Sequence, residues 1–167
     1  YIKKERLFWL SIQASCIGEQ DGCPVYFGTI VDITQKVQME LEYEVTYNSL
    51  PGGITKVVVD ESLTLVSANP AFYQMLGMSA EEFGEECKSH IYEPDRTMVE
   101  KTLCSQISHD IPIYIEFRML HRDGRPVWLH MEGKKIGERD GYPLLLTVIL
   151  DITESKKVLE ALEEDQL

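Results

Sequence analysis

The sequence predicts an α+β fold: one five-stranded antiparallel sheet with short helices grouped on one face. Three observations lead there. Short apolar segments come in the order strand, strand, three helices, then three strands. Asp-Gly pairs at Asp21-Gly22, Asp123-Gly124 and Asp140-Gly141 sit between apolar runs, the signal of tight antiparallel turns. Residues 9–34 recur as residues 128–153 at a constant offset of 119, with twelve identities in 26 ungapped positions.

The elements follow in order. Each copy of the repeat reads as two strands around an Asp-Gly turn, then Asp-Ile-Thr and a charged helix. Asp32-Ile33-Thr34-Gln35 and Asp151-Ile152-Thr153-Glu154 have the spacing of capping boxes. The helices expected after them run from about Gln35 through Tyr47 and from Glu154 to Leu167; both are sparsely apolar and need a partner. Between the copies, Ile54–Val59 and Leu63–Ser67 read as strands flanking a turn at Asp60-Glu61-Ser62. Asn69-Pro70 opens a short helix with Phe72, Met75 and Leu76 on its apolar face, and Gly77 stops it. Ser79-Ala80-Glu81-Glu82 is another capping box. Pro94-Asp95 begins a longer helix with Val99, Leu103 and Ile107 four apart. Ile111, Ile113, Ile115, Phe117 and Met119 alternate onto one face of the next strand.

An offset of 119 is too long for a solenoid unit and suits two whole domains in tandem, the first present only as its tail. The expected organisation is a terminal hairpin of an upstream domain at 1–34, a linker helix at 35–49, a complete domain at 50–153 and an exit helix at 154–167. A hairpin alone is marginal in water, so 1–34 is expected to lean on another domain or chain. The opening Tyr1-Ile2-Lys3-Lys4-Glu5 reads as a cut inside a longer chain and not as a signal peptide.

At 167 residues and 44% hydrophobic content, the chain can bury a core. A net charge of −12 repels phosphate backbones and anionic lipid, so no nucleic-acid partner and no membrane insertion are expected. Cys16, Cys23, Cys87 and Cys104 form no Cys-x-x-Cys, which suits a reducing cytoplasm. His90, His109, His121 and His130 are scattered, without metal spacing. Pro51-Gly52-Gly53 lacks the lysine and helix of a phosphate loop. No catalytic arrangement emerges, and catalysis is not expected of this segment.

The ordered set Val66-Ser67-Ala68-Asn69-Pro70-Ala71-Phe72, Leu76-Gly77-Met78-Ser79-Ala80-Glu81-Glu82, Glu93-Pro94-Asp95-Arg96, His121-Arg122-Asp123-Gly124 and Asp151-Ile152-Thr153 resembles the PAS sensory domain with its C-terminal PAC motif. The resemblance covers 50–153, and 1–34 resembles the end of a preceding PAS domain. It implies a sheet cupping a pocket beneath the helices. It also implies a sensory role in a larger signalling protein, commonly a histidine kinase or a diguanylate cyclase with its effector domain downstream.

The flavin-binding branch of that family sets a reactive Cys in Gly-x-Asn-Cys-Arg-Phe-Leu-Gln. Here Gly84-Glu85-Glu86-Cys87-Lys88-Ser89-His90-Ile91 keeps the Gly and Cys and loses most of the rest. The strand positions that would contact the flavin edge correspond to Met119, Leu129 and Ile149, none with a hydrogen-bonding group. Haem-binding members carry a His on the longer helix, near Met98 here, and no His lies on Arg96–Ser108. Neither cofactor is expected; an unidentified small ligand is left open. The candidate pocket set is Phe117, Met119, Leu129, Met131, Thr147 and Ile149 on the sheet, with Phe72, Leu76, Ile91 and Met98 above. Thr147 is its leading polar anchor, with Tyr73 a second candidate. These residues either fill the core or line a small, mostly apolar cavity.

Signal transmission is expected through Asp151, Ile152, Thr153 and Glu154 into the exit helix. The last strand, Leu144–Leu150, is apolar on both faces. Its second face calls for the 35–47 helix or a second subunit, hence the expectation of a homodimer. Two readings stand: a sensor that transmits through its terminal helices, and a ligand-free dimerisation module.

Overall fold

The computed structural model describes residues 7–166; expectations resting on residues 1–6 and on Leu167 lie outside it. The chain divides into two units between Thr46 and Tyr47.

The first unit is a hairpin of β1 (Leu10–Gln20) and β2 (Cys23–Asp32), followed by the start of α1 (Thr34–Ser49). Leu10 stands opposite Asp32 and Gln20 opposite Cys23. Asp21 and Gly22 both take positive φ, 51° and 79°, which closes a two-residue turn whose twist matches the strands. Apart from half-buried Val25, every residue of β1 and β2 is exposed.

The second unit carries a five-stranded antiparallel sheet in the order β4-β3-β7-β6-β5. The strands are β3 (Gly53–Val58), β4 (Thr64–Ala68), β5 (Ile113–Leu120), β6 (Pro126–Arg139) and β7 (Tyr142–Asp151). Between β4 and β5 run α2 (Pro70–Leu76), α3 (Ala80–Phe83), two single 3₁₀ turns at Lys88–His90 and Glu93–Asp95, and α4 (Arg96–Ser108). The exit helix is α5 (Thr153–Glu164). Period-two alternation sends Ile113, Ile115, Phe117 and Met119 of β5, Val127, Leu129 and Met131 of β6, and Leu145 and Ile149 of β7 into one core. Phe72, Leu76, Phe83, Val99 and Leu103 close it from the helical side. Each such side chain contributes roughly 1.5–3 kcal/mol on burial.

Asn69 is the fully buried keystone of the helical crossover. Its Oδ1 accepts from the amides of Ile54 (2.9 Å) and Phe72 (3.3 Å). Its Nδ2 donates to the carbonyls of Tyr47 and Gly52, both at 3.0 Å. One side chain therefore caps α2, fixes the start of β3 and ties down the end of α1. Gly77, at φ 65°, ends α2 in the left-handed conformation expected of it.

β5 is an edge strand, and its outward groups at Tyr114 and Arg118 are taken by neighbouring elements. The Gln106 amide accepts from the Tyr114 amide and donates to the Tyr114 carbonyl, each at 3.1 Å. Further along, the Arg118 amide donates to Asp95 Oδ2 at 2.9 Å, and the Arg118 carbonyl accepts from the Tyr92 amide at 2.9 Å.

Three local expectations need correction. Ile111 is exposed and outside the sheet, because Pro112 has no amide to give the ladder and the strand begins at Ile113. At Ser79 only half of the capping box forms: Ser79 Oγ accepts from the Glu82 amide, while the Glu82 carboxylate turns to Arg122 at 3.5 Å. The two Asp-Ile-Thr segments are hooks and not capping boxes. Asp151 Oδ1 accepts from both the amide (2.9 Å) and the hydroxyl (2.6 Å) of Thr153, and Ile152 takes the cap position with no side-chain bond. Glu154 pairs forward with Lys157. The Thr153 hydroxyl is what displaces the box, since it occupies Asp151 before the helix begins.

Candidate functional site

Between the sheet and the α4 side lies a chamber of about 40 Å³. Its floor is Thr55 and Val57 of β3, Phe117 and Met119 of β5, Met131 of β6, and Leu145, Thr147 and Ile149 of β7. Its roof includes Phe72, Cys87, Ile91, Val99 and Leu103. Alternation explains the floor, and the i, i+4 spacing of Val99 and Leu103 explains the inner face of α4.

Of the ten pocket candidates, Phe72, Ile91, Phe117, Met119, Met131, Thr147 and Ile149 line this chamber. Leu76 and Leu129 are fully buried but pack in the core away from it. Met98 is 40% exposed: one residue before Val99, it is turned about 100° from the inner face of α4. Tyr73 is half-buried beside Phe72 and Phe83, off the chamber wall; burial pushes its phenol up.

Sequence reasoning missed Thr55. Its hydroxyl meets that of Thr147 at 2.6 Å, across the β3–β7 pair. Alternation from Gly53 along β3 was the available signal. This pair is the polar point of an otherwise apolar wall, and each hydroxyl already has its partner. Cys87 is buried and also reaches the chamber. Burial first, then the nearby charges of Asp60 and Glu86, push its thiol up to about 12, so it stays protonated and unreactive at neutral pH.

Below β7 the wall runs directly into the hook. Thr147, Ile149 and Asp151 are alternate residues of one strand. Past Asp151, the Ile152 amide donates to the Trp128 carbonyl (2.9 Å), and the Trp128 amide donates to Thr153 Oγ1 (3.1 Å). β6, β7 and α5 thus meet at one knot of short hydrogen bonds.

The outward face of β5 carries the second charged constellation. Asp95, 7% exposed, receives Arg118 through Nε (3.0 Å) and Nη2 (2.7 Å). Those side-chain bonds hold the Asp95 carboxyl below the usual carboxylate range. The sequence reads Asp95 only as part of a helix start. The pairing joins residues 23 apart in sequence, with no local signal to reveal it.

Comparisons with known proteins bear on this arrangement. The sequence profile of the PAS fold matches residues 65–150. The sensor histidine kinase TmoS of Ectopseudomonas mendocina is 25% identical over 130 residues, covering 76% of this chain and 13% of that protein. The probable diguanylate cyclase DgcE of Escherichia coli (strain K12) is 23% identical over 177 aligned positions, covering 99% of this chain and 16% of that protein. The chain therefore spans well under a quarter of the length of these curated relatives. Among solved structures, a sensory box histidine kinase/response regulator from Burkholderia thailandensis E264 superposes with a TM-score of 0.60 at 21% identity, over 75% of this chain and 95% of that one. An RNA-binding light-oxygen-voltage receptor gives 0.64 at 19% identity, over 95% of this chain and 43% of that one.

The chamber does not fit the large cofactors known in this fold. Its volume is about a quarter of the ~150 Å³ that admits benzene. Met119 and Ile149 offer no hydrogen bond to a flavin edge, and Leu129 does not reach the space. The wall holds no histidine for haem, and Met98 faces away. Among the described residues no helix is long and apolar enough to cross a membrane. The profile match over more than half of the chain, on a sheet of this order cupping this chamber, makes the protein a member of the PAS fold family.

Proposed function

We propose that the chain is the sensory module of a larger signalling protein of sensor-kinase or diguanylate-cyclase type. A small, mostly apolar molecule entering the chamber displaces the wall of β6 and β7. That displacement leaves through Asp151, Ile152, Thr153 and Glu154 into α5 and on to an effector domain, which carries any catalysis. The observation that supports this most directly is the continuity of β7: Thr147 and Ile149 on the wall lead straight to Asp151 of the hook. Coupling of about 1–3 kcal/mol between wall and helix suffices for such a switch. Residues 1–34 we read as the last hairpin of a preceding PAS domain, 35–49 as the linker between the two, 50–153 as the complete domain, and 154–167 as the output helix. A cytoplasmic setting accords with the cysteine usage.

Native mass measurement of the gently purified chain, beside output assays of the parent protein, tests this. A bound small mass is expected, together with its loss in Val99→Leu, which adds a methylene to the chamber roof, and a parent whose autophosphorylation or cyclic-dinucleotide synthesis no longer responds. No bound mass, with an unaltered response in the filled variant, would remove the sensing reading.

A ligand-free homodimerisation module is the second reading. It is favoured by the outward face of β7, where Val148 and Leu150 are exposed and Ile54 stands directly across from Val148. The same native spectrum reports a dimer, and Val148→Glu should abolish it.

A further inference from the structure

Trp128 belongs to the hook through its backbone, yet its ring has partners the hook does not need. The Arg118 guanidinium lies 4.8 Å from the Trp128 ring centroid and 4.4 Å from that of Tyr92. The Lys156 ammonium lies 4.9 Å from the Trp128 ring and 2.7 Å from Glu116 Oε2. Arg118 and Trp128 stand opposite each other across β5 and β6. Asp95 fixes Arg118 by the bidentate pair, and Asp95 ends the turn that leads into α4.

The geometry points to a latch, Asp95–Arg118–Trp128–Lys156, that holds α5 against the outer face of the sheet and releases it when α4 or β5 moves. Its inner end is built into the chamber: Tyr92 follows Ile91, Ile91 bridges to Met119, and all three neighbour Arg118 or the wall. Its outer end is the first turn of α5. That helix buries no residue and has no side-chain cap, so few contacts decide whether it stays docked. Cation–ring contacts at this exposure are weak one by one, which suits a device meant to open. The internal repeat supplies a reference. Val37 of α1 stands where Lys156 stands in α5, so the first copy has the hook without this cation.

This rests on the reading of α5 as the output helix, and it names what regulates that helix. Amide hydrogen exchange of the chain, followed over residues 157–164 with β7 as internal control, tests the latch without any ligand. Lys156→Met is expected to speed exchange in α5 about three- to fivefold. Asp95→Asn touches no atom of α5 and is expected to speed it by a similar factor, while β7, which opens only with the whole domain, reports the variant's global loss of stability separately. Arg118→Lys, which keeps the charge and loses the planar fork, should do the same. If Lys156→Met acts and the other two do not, the contact is local and the latch is wrong. In Lys156→Met, a rise shared equally by β7 would mean loosening of the whole domain and would equally overturn it. Either failure leaves the sensing reading to be judged by its own output assay.

Discussion

The hairpins β1–β2 and β6–β7 share a backbone and differ in what covers them. Both turn on Asp-Gly at positive φ, 51° and 79° in one and 52° and 81° in the other. Both shift register at the same place, between Cys16 and Gly18 and between Lys135 and Gly137. Both end in the same hook: the Ile33 amide donates to the Trp9 carbonyl at 2.8 Å, the Thr34 amide to Asp32 at 2.9 Å, and the Trp9 amide to Thr34 Oγ1 at 2.9 Å. Yet Leu10 is 54% exposed where Leu129 is 0%, and Ile30 is 67% exposed where Ile149 is 4%. The same local sequence goes with the same hairpin and hook in both copies, while burial comes from strands and helices elsewhere.

One exchange between the copies sharpens the point. Gly133 faces Thr147 in the second hairpin, and Ala14 faces Gly28 in the first. A Cβ on Gly133 would meet the Leu146 carbonyl oxygen and, at 2.7 Å, Thr147 Cγ2. A Cβ on Gly28 would meet the Gln13 carbonyl oxygen at 2.8 Å and Ala14 Cβ at 2.9 Å. The strands pinch so closely here that one of the two facing residues must be glycine. The copies place it on opposite strands, and only the second thereby gains a threonine hydroxyl at that position.

The largest effect expected from this comparison comes from burying a charge. Ile149→Glu should destabilise the sheet by about 4 kcal/mol or more, and Ile30→Glu by no more than about 0.5 kcal/mol, in urea unfolding of the chain. Equal losses would mean that the first hairpin is covered in solution. Next, Gly133→Ala should cost about 3 kcal/mol. Combined with Thr147→Gly, which restores the arrangement of the first copy, the loss should fall short of the sum of the single losses by at least about 1 kcal/mol; strict additivity would refute the shared pinch. On the covered side, Asp95→Asn should cost about 2 kcal/mol at neutral pH. Because Arg118 lowers the folded-state value of Asp95, that contribution is complete above the ordinary carboxylate range. It fades as pH falls through the lowered value, so wild type and variant should begin to converge in acid unfolding below about pH 4 and meet only below that lowered value. The smallest effect concerns the hook. Asp151→Ala should weaken the start of α5 by about 1 kcal/mol, read as faster amide exchange at residues 153–157. Asp32→Ala should act in the same direction at residues 34–38, and a response in only one copy would show that the hooks are not equivalent.

Much of this was legible before any coordinates. Strand alternation, the Asp-Gly turns, the Asn69 cap and the Gly77 stop are local signals, and the repeat declared the hairpins alike. What stayed hidden needed distance in sequence. Thr55 meets Thr147 only because β3 pairs with β7, and Arg118 finds Asp95 only because α4 begins beside β5. Met98 was misplaced by a single helical step, which is enough to turn a roof residue into a surface one. The Asp-Ile-Thr segments carried the right residues under the wrong geometry, since spacing alone cannot tell a box from a hook.

The Gln106 amide that pairs with Tyr114 has a consequence for how copies of this protein meet at high concentration. With that side chain and Asp95 occupying the outer rim of β5 at Tyr114 and Arg118, an incoming ribbon from another molecule finds the ladder there interrupted. Removing the amide, as in Gln106→Ala, opens a seam for strand exchange and fibre growth.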